Sequence, residues 1–96
     1  MNDESCNLII SYDLNSPGQD YEKIFEKIKS LGSWAKVQKS LWYVTSSLSA
    51  ASARDAVSAV MDSNDSLIVI DSTNNNVAWI GINEEVATHM TDNWPS

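Results

Sequence analysis

The sequence has little cysteine, glycine and basic charge. Its single cysteine, Cys6, excludes an intrachain disulfide and is typical of a reduced, cytoplasmic protein. Its three glycines are too far apart to form a phosphate-binding loop, which excludes P-loop and Rossmann sites. No apolar run approaches the ~18 residues of a membrane helix, so we expect no membrane association.

Basic residues are few and clustered. Thirteen acidic residues against six basic ones give a net charge of -7, which opposes tight binding of duplex nucleic acid. Five of the six basic residues lie between Lys23 and Lys39. A locally basic surface on an acidic protein favours a small anionic ligand, such as a nucleotide, over long nucleic acid.

The length and composition predict a single domain over residues 1–96. The 96 residues are 43% hydrophobic, which is enough for one core. A chain this short buries only about two thirds of its unfolded surface, so we expect it to associate as a homodimer. Residues 83–96 are expected to form a weak helix or a flexible or docking tail.

Hydrophobic periodicity predicts alternating strands and helices. Residues 7–14 read as a central strand, and a helix follows from an N-cap at Ser16 to about Leu31. Gly32 is expected to end this helix in a left-handed conformation. Residues 33–48 alternate with period two and predict two strands that meet as a hairpin near Lys39 and Ser40.

The second half of the chain continues the pattern. Ser49 predicts the cap of a helix of about twelve residues, and residues 67–70 predict a strand buried on both faces. Residues 77–82 predict a fifth strand, with Gly81 at a bulge. The order predicts an α+β fold, a ferredoxin-like βαββαβ sandwich with an added C-terminal strand.

Three segments carry a resemblance to a known group: YDL at residues 12–14, SPGQDYEKIFEKIKSLGSW at 16–34 and VQKSLWYV at 37–44. Together they resemble the small SinR-like proteins, relatives of the CRISPR-associated Cas-two and virulence-associated protein D families. The resemblance covers most of residues 8–82. The resemblance implies a ferredoxin-like homodimer. The group that it points to includes both metal-dependent ribonucleases and non-catalytic adaptors.

The resemblance assigns one candidate catalytic residue. In the nuclease members an aspartate ends the first strand, and its two copies in the dimer hold a divalent metal. That position matches Asp13, which implies a magnesium ion at the dimer axis; the residues themselves identify no cofactor. The loop after Asp13 lacks the basic residues that nuclease members often carry nearby. Asp13 also suits a cap for the turn at residues 16–18.

A candidate ligand site lies on the second predicted strand. Trp34, Lys36 and Gln38 are expected to share one face, where an aromatic plane and a cation would suit a nucleobase and its phosphate. The alternative is that Trp34 only closes the core. The predicted ligand-binding residues are Ser16, Gly18, Trp34, Lys36 and Lys39. Asp13 is expected to belong to the same surface.

Other aromatic and metal-ligating residues have alternative roles. Trp42 and Trp79 are expected in the core or a dimer contact, and Trp94 is a candidate interface anchor. Glu85 and His89 are spaced to share a metal on a helix, but they lack the further ligands that zinc requires.

The sequence therefore favours a non-catalytic dimeric binding module for a nucleotide-like ligand or a protein partner. One alternative is a metal-dependent endoribonuclease that uses Asp13. Another is a protein inhibitor or assembly adaptor that docks through Trp94 and the fifth strand. A serine hydrolase is excluded because no Gly-x-Ser-x-Gly motif is present.

Overall fold

The structure, a computed structural model, describes residues 5–14, 21–63, 65–73 and 78–93. In chain order its elements are β1 (Cys6–Asp13), α1 (Tyr21–Lys29), β2 (Gly32–Gln38), β3 (Leu41–Ser46), α2 (Ala50–Ser58), β4 (Ser66–Asp71) and α3 (Glu84–Asn93). The strands form one antiparallel sheet in the order β2-β3-β1-β4. The protein is thus a small α+β fold, as the sequence predicts at this level.

The main core lies between one face of the sheet and the helices α1 and α2. Alternate residues of β1 and β3 point to this face because side chains alternate along a strand. Ile24 and Ile28 of α1 lie four residues apart and are fully buried against it. The core contains Leu8, Ile10, Tyr12, Ile24, Ile28, Leu31, Trp42, Val44, Ala53 and Val57. Trp42 is therefore a core residue, as predicted.

The opposite face of the sheet is covered by α3 over β2 and β3. Tyr43 is fully buried there, and its ring packs edge-on against the His89 ring with 5.9 Å between the ring centroids. The Tyr43 hydroxyl donates a hydrogen bond of 2.8 Å to Oδ1 of the buried Asn7. Met90 of α3 is also buried. Of the helix and the loop left open for residues 83–96, the structure shows a helix at Glu84–Asn93.

β2 and β3 form the predicted hairpin, joined by the two residues Lys39 and Ser40. A bulge interrupts the pairing near the turn, between Lys36 and Gln38. At the far end, Gly32 belongs to β2 and has no positive φ, so the prediction of a left-handed helix stop is wrong. A Cβ at Gly32 would overlap the Thr45 carbonyl oxygen, which shows that close strand approach requires glycine here.

Two strand predictions need correction. Residues 78–82 form no strand, and Gly81 has a φ of 74° in an irregular segment rather than a bulge. Residue 77 lies outside the described residues. β4 does form, but it is an edge strand and is not buried on both faces, because Ile68 and Ile70 are 56% and 47% exposed. The covering helix α3 packs over β2, at the other edge of the sheet.

Helix boundaries also differ from expectation. The Ser49 side chain accepts a hydrogen bond of 3.1 Å from the Ser52 backbone N–H, which confirms the predicted cap of α2. α2 ends at Ser58, so it is shorter than predicted. The predicted start of α1 at Ser16 lies outside the described residues. No helix in the described ranges is long and apolar enough to cross a membrane.

Candidate ligand-binding site

A cavity of about 440 Å³ lies where β1 ends beside the β2-β3 turn. We call it the Asp13 cavity; it is lined by Tyr12, Asp13, Leu14, Tyr21, Phe25, Lys36, Lys39 and Ser40. The turn reaches the end of β1 because the Tyr12 backbone N–H donates a 3.2 Å hydrogen bond to the Ser40 carbonyl. The volume lies within the usual range for small-molecule sites.

The inner wall of the Asp13 cavity is held by a buried hydrogen bond. Trp42 Nε1 donates to the Tyr12 hydroxyl at 3.0 Å, and that hydroxyl contacts the Lys39 carbonyl at 3.4 Å. Burial raises the pKa of Tyr12 above its ordinary value, although the Trp42 hydrogen bond opposes this shift. Tyr12 is therefore neutral at physiological pH and acts as a rigid wall rather than as a base.

Lysine ammonium groups lie over the aromatic rings of this region. Lys36 Nζ is 4.3 Å from the Phe25 ring centroid and 5.7 Å from that of Trp42. Lys29 Nζ is 4.8 Å from the centroid of Trp34, whose ring packs on Trp42 at 5.5 Å. Cation–π attraction holds both lysines close to the sheet surface. The structure thus places basic and aromatic side chains on one surface.

The Asp13 side chain is exposed at the end of β1. Among the described residues, no side chain forms a hydrogen bond or ion pair with its carboxylate. A second cavity of about 380 Å³ also borders Asp13, together with Ser11, Ser40 and Ser66. Asp13 is therefore open to a ligand from two sides.

The carboxylate of Asp13 alone does not make a magnesium site. The described ranges contain no group of three or more His, Cys, Asp or Glu residues that could hold a metal. Magnesium requires six oxygen ligands, of which proteins usually supply at least one or two carboxylates. A metal at Asp13 would need ligands from outside the described part of one chain.

A neighbouring cavity of about 360 Å³ lies along the edge strand β2 and the start of α3. We call it the Trp34 cavity; it is lined by Trp34, Ala35, Lys36, Glu85, Val86 and His89. Lys36 borders both this cavity and the Asp13 cavity. The two cavities therefore share Lys36 on the edge strand.

Glu85 and His89 do lie on one cavity, as their helical spacing predicts. The Nε2 atom of His89 is buried and has no hydrogen-bond partner among the described residues. Within the described ranges, no third His, Cys, Asp or Glu side chain joins Glu85 and His89 in a group that could hold a metal. The pair is thus placed to line a binding site rather than to coordinate zinc.

The structure brings together part of the predicted site. Asp13, Lys36 and Lys39 meet in one cavity, and Trp34 lies in the next. Gln38 does not share the face of Trp34, because the bulge pairs it with Leu41 on the opposite face. Ser16 and Gly18 fall outside the described residues.

The predicted interface residues are only partly described. Trp79 is 38% exposed and borders a cavity with Ile9, Val37 and Met90 on the α3 side of the sheet. It lies in the irregular segment rather than in the predicted strand. Trp94 falls outside the described residues.

Sequence reasoning missed several residues of the site. Tyr21 and Phe25 belong to the apolar stripe of α1, but they lie near its start and line the Asp13 cavity. Their position near the start of the helix, where the core opens, could have indicated that they line a cavity. Glu85 was named only as a partner of His89, because nothing but the packing of α3 on β2 brings it near Trp34.

A further cavity of about 410 Å³ lies between α1 and Val60. Its other lining residues are alternating acids and bases of α1 and a serine: Glu22, Lys23, Glu26, Lys27 and Ser30. It contains no aromatic side chain and no excess of one charge. It is therefore a poorer candidate for nucleotide binding than the Asp13 and Trp34 cavities.

No family model and no curated protein matches the chain. Among solved structures, a crystal structure of a hypothetical protein from Thermus thermophilus is similar, with a TM-score of 0.62 and 17% sequence identity. The similarity covers 82% of this chain and 95% of that chain. At this identity it shows the fold alone.

Proposed function

We propose that the protein is a non-catalytic, dimeric binding module for a nucleotide-like ligand. The observation that carries this proposal is the position of Lys36, whose ammonium lies over the Phe25 ring and which lines both the Asp13 cavity and the Trp34 cavity. Lys39 adds a second cation to the Asp13 cavity. A cation beside aromatic side chains suits a ligand that carries both a phosphate and a base.

Asp13 refines the chemistry of the proposed ligand. Its carboxylate would repel a uniformly anionic compound, because it borders the same cavity as the two lysines. An ionised carboxylate only accepts hydrogen bonds, so it would favour a ligand with hydroxyl donors. A nucleotide offers ribose hydroxyls for Asp13 and a phosphate for Lys36 and Lys39.

We also propose a ferredoxin-like fold and a relation to the SinR-like group. The order βαββαβ and the antiparallel strand order β2-β3-β1-β4 support the fold proposal. The proposal omits the added C-terminal strand, since residues 78–82 are irregular. Homodimer formation is supported by β4, an edge strand that exposes Ile68 and Ile70.

Calorimetric titration of the full chain tests the binding proposal. The panel contains mono-, di- and cyclic nucleotides, with and without magnesium. We expect saturable binding without metal and a loss of about tenfold in affinity in Lys36→Gln, because a charge-assisted hydrogen bond is removed. Lys27→Gln is the matched control, since Lys27 borders a different cavity. Silence for every nucleotide would refute the proposal.

The alternative function is a magnesium-dependent ribonuclease that uses Asp13 from both subunits. The exposed Asp13 carboxylate, open to two cavities, favours this alternative. It predicts RNA cleavage that disappears in Asp13→Asn while the oligomeric state is unchanged. Full cleavage by that variant would exclude Asp13 as the catalytic residue.

A further inference from the structure

The Trp34 cavity combines an aromatic ring, a cation and a carboxylate. Trp34 is 41% exposed and Lys36 and Glu85 are both exposed, so all three side chains are accessible to a ligand. They meet around the edge of the sheet at β2. Trp34 and Lys36 pair with Val44 and Trp42 and so point to the α1 and α2 face, whereas Glu85 lies in the first turn of α3 on the other face. The Asn83 side chain accepts a 2.8 Å hydrogen bond from the Glu85 N–H, which caps the start of α3.

These three groups have separate roles toward a nucleotide. The Trp34 ring packs on Trp42 and carries Lys29 Nζ at 4.8 Å from its centroid, so a base would stack on the indole in place of the flexible Lys29 side chain. The carboxylate of Glu85 offers two acceptor oxygens and no donor when ionised. Among the bases, guanine presents two adjacent donors, N1–H and the 2-amino group, on its Watson–Crick edge. Adenine and cytosine present an acceptor next to their amino group, which a carboxylate would repel.

We propose that the site selects guanine nucleotides, with the base in the Trp34 cavity and the ribose phosphate in the Asp13 cavity. This inference rests on the proposed function, since it assumes nucleotide binding. Lys36 lies where the two cavities meet and would contact the phosphate. Glu85 reads the Watson–Crick edge of guanine through two parallel hydrogen bonds.

The placement of the residues along the hairpin agrees with the size of a nucleotide. Trp34 and Lys36 are two residues apart on one strand, or about 7 Å, and Lys39 follows in the turn. A base on Trp34 would therefore place its phosphate near Lys36 and Lys39. Asp13, across the Asp13 cavity from the turn, would accept a hydrogen bond from a ribose hydroxyl.

The test compares guanosine, inosine and adenosine monophosphates by calorimetry. We expect the guanine nucleotide to bind at least about tenfold more tightly than the adenine nucleotide. Inosine monophosphate lacks the 2-amino group and should bind with intermediate affinity. In Glu85→Gln the preference for guanine should disappear, because the amide no longer repels adenine N1 and can donate a hydrogen bond to it. Adenosine monophosphate should then bind more tightly than to the wild type, and guanosine monophosphate more weakly.

Glu84→Gln is the matched control, because Glu84 is the adjacent exposed acid of α3 and does not line the cavity. It should retain the full preference for guanine. Equal binding of all three nucleotides to the wild type, or an unchanged preference in Glu85→Gln, would overturn the inference and leave the proposed function standing. Binding of no nucleotide would overturn both. Circular dichroism confirms that each variant is folded.

Discussion

At the scale of single residues, the hydrogen bond between Trp42 and Tyr12 joins the core to the candidate site. Trp42 is buried in the core, and Tyr12 forms both core and cavity wall. Tyr12→Phe would leave the Trp42 indole N–H buried without its partner. We expect a loss of about 1 to 3 kcal/mol in the free energy of unfolding, measured by urea denaturation.

Tyr21→Phe is the control for this change. Tyr21 is 49% exposed and borders the same cavity, so loss of its hydroxyl should change stability by less than about 0.5 kcal/mol. Equal stability of Tyr12→Phe and the wild type would show that the buried bond contributes nothing net.

A second residue-scale prediction concerns Asp71 at the end of β4. The Thr73 hydroxyl, and then the Thr73 backbone N–H, donate hydrogen bonds that lower the pKa of Asp71. A lowered folded-state pKa contributes stability above the unfolded pKa, and this stability is lost as pH falls through the folded value. The contribution is about 0.5 kcal/mol or less, because Asp71 is exposed.

Thr73→Val should therefore raise the pKa of Asp71 toward its ordinary value. The variant also removes the acceptor of the Asn7 backbone N–H, which lowers stability at every pH. Only the pH-dependent part of the stability difference, largest at neutral pH and shrinking below about pH 4, therefore reports on Asp71. The pKa is measured by NMR titration of the Asp71 carboxyl resonance, with the exposed Thr91→Val as control. An unmoved Asp71 titration in Thr73→Val would contradict the assignment of the hydroxyl as the cause.

At the scale of elements, the β2-β3 hairpin depends on Gly32. A Cβ there would meet the backbone oxygen of Thr45, and backbone atoms cannot move aside as a flexible side chain can. We expect Gly32→Ala and Gly32→Asn both to lower the free energy of unfolding by about 1 to 3 kcal/mol. Thermal or urea unfolding measures the change.

Substitutions at Gly81 serve as the comparison, because glycine is favoured there by its backbone conformation and not by a close contact. Its φ is 74° and no atom would meet an added Cβ. Gly81→Ala should be destabilising, whereas Gly81→Asn should recover part of the loss, since asparagine tolerates positive φ. Recovery by asparagine at Gly32 would contradict the close-contact explanation.

The elements that could be predicted from the sequence are those with local signals. The Ser49 cap and the period-two pattern around Lys39 and Ser40 identified α2 and the hairpin correctly. Residues 78–82 have strand-like composition, yet they pair with no strand in the described part of the chain. Composition alone cannot show whether a neighbouring strand edge is available.

The same limit applies to the candidate site. Asp13, Lys36 and Lys39 were predicted as parts of one surface, and they line one cavity because the hairpin turn lies beside the end of β1. Gln38 was misplaced because a bulge reverses the side-chain alternation and leaves no reliable sequence signal. Glu85 was singled out together with His89, but its place beside Trp34 could not be foreseen, since that depends on packing between distant segments.

At the scale of the whole molecule, exposed apolar side chains favour self-association through β4. Ile68 and Ile70 lie on an edge strand, and pairing of two such edges about a twofold axis would extend the sheet. We expect a dimer by light scattering and a monomer for Ile70→Glu. Ala51→Glu, an exposed change on α2, should remain dimeric. A monomeric wild type would refute the dimer proposal.

The central claim is that a nucleotide binds where Lys36 joins the two cavities. The most direct measurement is an NMR titration of the full chain, labelled with ¹⁵N, with guanosine and adenosine monophosphates. The account predicts saturable chemical-shift changes of the Trp34 indole N–H and of the backbone amides from Lys36 to Ser40. It also predicts changes of the amides near Asp13 and little change at Ser30 or Val60. No saturable shift, or shifts centred on the cavity between α1 and Val60, would contradict it.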